Sequence, residues 1–257
     1  MSSMFPPLAD LITRLGRGAA SWARPGELDI GHGHWIALTG ATQPDFNLAY
    51  CSAGHGEQMI DHYLDRLIAH RRPGLLVTTS NLGVPHAVRE RGWKLVEAGP
   101  LMAARLTDIV ARPPDVTPPF VTSELTPRQL PLARDLMARA FDLAPDVAAI
   151  ALRPDSSGVE RHVWGVLSTG EIQACGVSVI DDEYVTLWSV ATDPSARRQG
   201  QATTLIRAAL THARANGCTL AVLNSSPMAG PFYRALGFRT LDQLSYWSNP
   251  RWALAAD

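Results

Sequence analysis

Lysine is almost absent from this chain of 257 residues: Lys94 is the only one among 23 basic residues. The formal net charge is −1, so there is no basic surplus of the kind that nucleic acid or an anionic membrane selects. The preference for arginine reads as codon usage rather than chemistry. Cysteine is scarce too. Cys51, Cys175 and Cys218 are an odd number without metal-ligand spacing, which excludes a disulfide framework and suits small buried side chains in a reducing compartment. No apolar run approaches the roughly 20 residues that span a bilayer. Residues 1–18 carry no hydrophobic stretch followed by a small-residue cleavage site and read as an amphipathic helix. The protein is therefore expected in the cytoplasm.

The length allows one large or two modest domains. Between Arg112 and Pro119 four prolines remove four N–H donors and disfavour helix before them, which marks a linker. The chain also matches itself. Leu75–Glu97 aligns without a gap on Leu220–Asp242, with Leu75, Val77, Ser80, Arg89 and Gly92 identical to Leu220, Val222, Ser225, Arg234 and Gly237. Trp93 falls on Phe238. The apolar positions Met59, Ile60, Tyr63, Leu64, Leu67 and Ile68 predict a helix upstream of the first copy, as in the second. Both halves read helix, strand, short helix, Gly-aromatic, strand, and the chain is read as a tandem duplication divided at 1–115 and 118–257.

Chemistry concentrates in the second half. Tyr184–Thr192 is a β-branched and aromatic run, and a strongly periodic helix follows in which Ala202, Leu205, Ile206, Ala209, Leu210 and Ala213 share one face. Gly217 ends that helix. Between strand and helix lies Arg197-Arg198-Gln199-Gly200-Gln201-Ala202. Gly200 and the small Ala202 leave room for backbone N–H groups, with Thr203 next in line, to approach an anion. The helix N-terminus adds about half a positive charge, and Arg197 and Arg198 add full ones. An ordinary turn into a helix would look similar at this point. Upstream, the pattern predicts a strand near 120–125, a helix over 127–141, a helix or loop over 144–152, and strands at 161–167 and 172–180 joined by the turn 168–170. Downstream come a strand at 219–223, Asn224, and Phe232-Tyr233-Arg234-Ala235-Leu236-Gly237-Phe238.

With these residues in order, the second half resembles the GNAT superfamily of acyl-CoA-dependent N-acyltransferases over about 118–250. The loop matches the family's Arg/Gln-x-x-Gly-x-Gly/Ala pattern after an Asp193-Pro194 turn, and the later stretch matches Phe-Tyr-x-x-x-Gly-Phe. The resemblance implies an α/β (α+β) fold, a mixed sheet flanked by helices, here as two tandem GNAT-like domains. It implies acetyl-CoA as co-substrate, bound through Arg197, Arg198, Gln199, Gly200, Gln201, Ala202 and Thr203. The pantetheine arm would lie beside Trp188–Thr192, using backbone groups of Val190, Ala191 and Thr192, with Asn224 contacting the arm or a water. Tyr233 is the expected general acid, since a phenol near pKa 10 stays protonated beside a thiol near 8.5. The first half has Val88 where Tyr233 stands and Gly54-His55-Gly56-Glu57 where the loop would be. It is expected to be a degenerate GNAT-like domain that binds no acyl-CoA.

The general base is poorly marked. The family position for a strand glutamate falls near Thr186, and Glu183 is the best nearby carboxylate, although Asp181-Asp182-Glu183 also reads as a solvated turn. A water chain, Asp142 or Asp146 are the alternatives. His32, His34, His55 and His62 show no spacing that converges on a metal, and His162 and His212 read as surface or edge residues, so no metal is expected. The favoured activity is acetyl transfer to a small amine or amino-acid-like acceptor, in a monomer or homodimer, without nucleic-acid or membrane partners. Phe141–Asp155 is the expected acceptor segment. A protein N-terminal or lysine acetyltransferase and a non-catalytic acyl-CoA sensor remain the alternatives.

Overall fold

The computed structural model describes residues 4–109, 120–153, 159–168 and 170–253. The expected linker at 112–119, residue 169 of the turn 168–170, and Asp155 lie outside the described residues. In chain order the first elements are α1 (Leu8–Ala19), β1 (Leu28–Gly31), β2 (His34–Leu38), β3 (Asn47–Cys51), α2 (Ile60–Ala69), β4 (Leu75–Thr78), α3 (His86–Glu90) and β5 (Lys94–Arg105). Then come β6 (Val121–Glu124), α4 (Leu130–Phe141), α5 (Pro145–Ala151), β7 (Glu160–Ser168), β8 (Glu171–Asp181) and β9 (Tyr184–Thr192). The chain closes with α6 (Gln201–Ala215), β10 (Leu220–Asn224), α7 (Gly230–Ala235), β11 (Arg239–Ser248) and α8 (Pro250–Ala253). No helix among the described residues is long and apolar enough to cross a membrane.

Two compact units result. One is Met1–Ala103 with Leu223–Arg234 and Arg239–Asp257; the other is Ala104–Val222 with Ala235–Phe238. The first unit carries strands in the order β1-β2-β3-β4-β11-β5. Its β1–β2 and β2–β3 pairs are antiparallel and β3–β4 is parallel. α2 makes the crossover, burying Ile60, Tyr63, Leu64 and Leu67 against Ile36, Ala49, Leu76, Val88, Trp93 and Trp247 in one cluster. Each such fully buried leucine contributes roughly 1.5–3 kcal/mol of transfer free energy. β11 lies between β4 and β5, antiparallel to both, so residues near the C-terminus complete this sheet. Ser80 Oγ and the Ser80 N–H donate to the Asp242 carboxylate at the β11 end of that seam.

The second unit repeats the scheme. β6–β7, β7–β8 and β8–β9 are antiparallel, and β9–β10 is parallel across α6. α6 buries Leu205, Ile206, Ala209, Leu210 and Ala213, the stripe read from the sequence, with Gln201 added and Ala202 left half-buried. Gly217 stops it at φ +89°, its N–H bonded to the Arg214 carbonyl, as a left-handed terminator does. α4 ends at Asp142, also left-handed at φ 53°, and Phe141 is 49% exposed rather than packed in the core. Residues 145–151, where helix or loop was open, form α5, started by Pro145 at its first position.

Candidate acyl-CoA site

The site is built on β9 and the loop that follows it. β10 pairs with β9 through Tyr184, Val185 and Thr186 only, whereas β9 runs on to Thr192. On its other side β9 is bulged: Val177 faces Trp188 and Cys175 faces Ala191, so Gly176 alone answers Ser189 and Val190. Ser189 takes φ 52° to make the bulge, and such a bulge re-aims the strand beyond it. A Cβ at Gly176 would sit 3.1 Å from Leu205 Cδ2 and 3.2 Å from Val190 Cγ2, so these side chains would have to give way to any larger residue. Ala191 is buried, while Val190 and Thr192 are half-buried. The first unit lacks this opening. There β3 and β4 stay paired to Cys51 and Thr78, and the Ala53 N–H is bonded to Thr79 Oγ1 at 3.1 Å.

Asp193 anchors the loop. Its carboxylate accepts from Ser195 Oγ at 2.6 Å, from the Ser195 N–H at 3.0 Å, and from Arg139 of α4 at 3.0 Å. The Ser195 bonds first, then Arg139, hold its pKa down at about 2. Arg197 donates to the carbonyls of Thr192 and Ala140 at 3.4 and 3.3 Å. Gln199 donates to the Ser195 carbonyl at 3.1 Å. Arg198 is left-handed at φ 62° and exposed, a conformation that costs a non-glycine residue about 1–2 kcal/mol. Gly200, at φ 93°, is the N-cap of α6, and nothing lies within 4 Å of where its Cβ would be.

Successive N–H groups around left-handed residues form an anion-binding concavity. The N–H groups of Gln201, Ala202 and Thr203 have no intrahelical acceptor in any case; the Thr204 N–H is the first to find one, the Gly200 carbonyl at 2.9 Å. The Gln201 side chain is 1% exposed and bonds Gln173 and Gln199 through Nε2 at 3.2 and 3.4 Å. It ties the helix start to β8 and leaves only its main chain for an anion. This open, doubly left-handed turn at a helix N-terminus fits a pyrophosphate, and the one-sided edge of β9 fits an extended amide chain.

Two expected residues lie in the first unit. Tyr233, on α7, is buried against Phe232 with ring centroids 5.1 Å apart, and burial pushes its phenol above the usual range. Asn224 donates through Nδ2 to Tyr50 Oη at 2.9 Å and to Tyr246 Oη, while its Oδ1 is buried with no hydrogen-bond partner among the described residues. Burial raises both phenols, Tyr246 to about 12. Tyr50 and Tyr246 were not legible as partners, since they are 174 and 22 residues from Asn224.

Glu183 is the carboxylate that the sequence offered as general base. It is exposed on the β8–β9 turn, where its carbonyl accepts from Thr219 and Leu220. Seven residues of extended chain separate it from Val190, about 23 Å at the strand rise, so it does not join the bulge and loop. Thr186, at the family position for a strand carboxylate, is buried and accepts from Trp188 Nε1 at 2.9 Å.

A splayed strand beside a helix N-terminus is an arrangement able to hold a nucleotide thioester. The acetyltransferase (GNAT) family model matches residues 130–238, and over those residues the chain is a GNAT N-acetyltransferase domain, whose co-substrate is acetyl-CoA. Solved structures share the fold over nearly the whole chain. A GCN5-related N-acetyltransferase from Kribbella flavida has a TM-score of 0.69 at 17% identity, covering 96% of this chain and 97% of that one. A tandem GNAT protein from the clavulanic acid biosynthesis pathway has a TM-score of 0.59 at 14% identity, covering 93% and 92%. A GCN5-related N-acetyltransferase from Sphaerobacter thermophilus has a TM-score of 0.55 at 13% identity, covering 95% and 93%. No curated protein matches the sequence.

Proposed function

We propose that the chain moves an acetyl group from acetyl-CoA to a small amine or amino-acid-like acceptor by direct attack within a ternary complex. The observation that carries this reading is the pairing of a bulged, half-unpaired β9 with the Gly200 turn. Acetyl-CoA supplies an activated thioester. The main-chain N–H groups from Arg198 to Thr203, with Arg197 and Arg198, hold its pyrophosphate. Val190, Ala191 and Thr192 offer backbone groups to the pantetheine amides, and the Val190 N–H is assigned to the charge that develops on the thioester oxygen. Removing one such donor typically costs about 3 kcal/mol of barrier.

The orphaned Oδ1 of Asn224 suits an amide N–H or a bound water. Tyr233 is assigned as proton donor to the leaving thiolate from its place in the Phe-Tyr-x-x-x-Gly-Phe stretch. Burial raises the phenol above its usual range, so its proton stays on in the free protein. The amine proton is assigned to leave through a water chain, with Glu183, Asp142 and Asp146 as the carboxylate alternatives.

The repeats are assigned to 1–115 and 118–257. The closed β3–β4 pairing supports a first repeat that binds no acyl-CoA and acts as scaffold, in a cytoplasmic monomer or homodimer. The test is thiol release from acetyl-CoA over a panel of small amines, with Tyr233→Phe as the paired variant. Turnover should fall about 10²–10⁴-fold with acetyl-CoA KM unchanged. Equal turnover in the variant at all pH values refutes the Tyr233 role. Saturable binding without thiol release on any acceptor, peptide N-termini and lysine included, replaces the enzyme reading by that of a sensor.

A further inference from the structure

Away from the loop, β6, β7 and the last turn of α6 gather four ionisable side chains. Glu160 and His162 are two apart on β7 and therefore project from one face. His212 comes from α6, and the ligating atoms of Glu160, His162 and His212 all lie within 4.8 Å of one another. We propose that these three residues bind a divalent ion of the zinc class. A four-coordinate ion with bonds of about 2.0–2.1 Å holds its ligand atoms about 3.3 Å apart. Glu160 Oε1 is 2.9 Å from His162 Nε2 and 3.9 Å from His212 Nε2, so it brackets that spacing, and small rotations close the site.

The surroundings are those of a metal centre. Glu124 Oε1, on β6, lies 3.1 Å from His162 Nδ1. The two make no hydrogen bond as they stand, but a small turn of the ring would let this carboxylate accept from Nδ1, the partner that orients a metal-bound imidazole with its Nε2 at the ion. Asn216, one turn after His212, places Nδ2 3.1 Å from His212 Nε2, which marks that nitrogen as the one with a free lone pair. The ion would displace this contact. His162 is held firmly, with 11% of its side chain exposed, while Glu160 and His212 are 50% and 34% exposed. An ion can thus enter from solvent and keep a water as fourth ligand. Two imidazoles and one carboxylate suit zinc, copper or nickel and disfavour magnesium and calcium. The bound ion would clamp β7 to the C-terminal end of α6.

The experiment uses the full-length protein, stripped with a chelator and titrated with Zn²⁺ and with Co²⁺. The wild-type chain should bind one Zn²⁺, melt at a higher temperature in its presence, and give the intense visible bands of four-coordinate Co²⁺. His212→Gln, at a half-buried position, and Glu160→Gln, at an exposed one, should abolish the bands and the shift while melting near wild type without metal. Glu124→Gln should weaken Zn²⁺ binding about 10–100-fold. The proposal is overturned if about 100 μM Zn²⁺ leaves wild-type melting unchanged, or if His212→Gln and Glu160→Gln bind Zn²⁺ as tightly as wild type.

Discussion

Replacing Gly200 by Asp and, in parallel, by Asn separates shape from charge at the loop. Both residues tolerate the left-handed region better than other side chains, and the Cβ position is open, with nothing within 4 Å. The backbone strain at φ 93°, about 1–2 kcal/mol, is carried by free and liganded protein alike. It should lower the melting temperature of both variants similarly and leave their affinities comparable. The Asp carboxylate alone repels a pyrophosphate. At about 6 Å, one such charge pair costs roughly 0.7 kcal/mol in bulk water and about 3 kcal/mol at an effective dielectric of about 20. With two phosphate charges in reach, the Asp variant should bind acetyl-CoA at least about tenfold more weakly than the Asn variant, a gap of about 1.4 kcal/mol. Isothermal titration at low and high salt reads this directly. The gap should narrow as the screening length falls from about 10 Å at 0.1 M to about 3 Å at 1 M. Equal dissociation constants for the two variants at low salt refute an anion seat at this turn.

Other outcomes follow from the same geometry. Asp193, held at a pKa of about 2 by Ser195 and Arg139, is depressed below the ordinary value of about 3.9. Its contribution is therefore present above about pH 4 and lost as the pH falls toward 2; after discounting for solvent screening it is about 1 kcal/mol or less. Asp193→Asn should melt below wild type at pH 7 and converge with it near pH 2, and a constant gap across that window contradicts the assignment. Glu183→Gln should change turnover less than about twofold, given the roughly 23 Å of strand between Glu183 and Val190; a tenfold loss would return it to the site. Gly176→Ala should destabilise by about 1–3 kcal/mol through overpacking against Leu205 and Val190 and weaken acetyl-CoA binding. An unchanged melting temperature and affinity would show that the bulge has slack.

Local signals carried the reading of the sequence. Gly200 and the apolar stripe of α6 lie within 14 residues, and short-range spacing is enough to place a helix and its N-terminus. The β7–β8–β9 meander was visible for the same reason. What escaped the sequence is non-local or set by backbone conformation. β11 leaves its own half to pair with β4 and β5, and its alternation is the same wherever it docks. Ser189 and Arg198 adopt positive φ without being glycine, so no residue type announces the bulge or the second left-handed turn. The Gln201 amide turns inward to Gln173, a partner 28 residues away in the chain. His212 meets Glu160 and His162 only because α6 crosses over β7, about 50 residues on in the chain.

Amide hydrogen exchange with and without acetyl-CoA tests the central claim most directly, since that claim concerns main-chain N–H groups. Protection should appear at Arg198–Thr203 and at Trp188–Thr192, with residues 52–57 of the first repeat unchanged. Protection centred on 52–57, or none at the Gly200 turn under saturating ligand, contradicts the account.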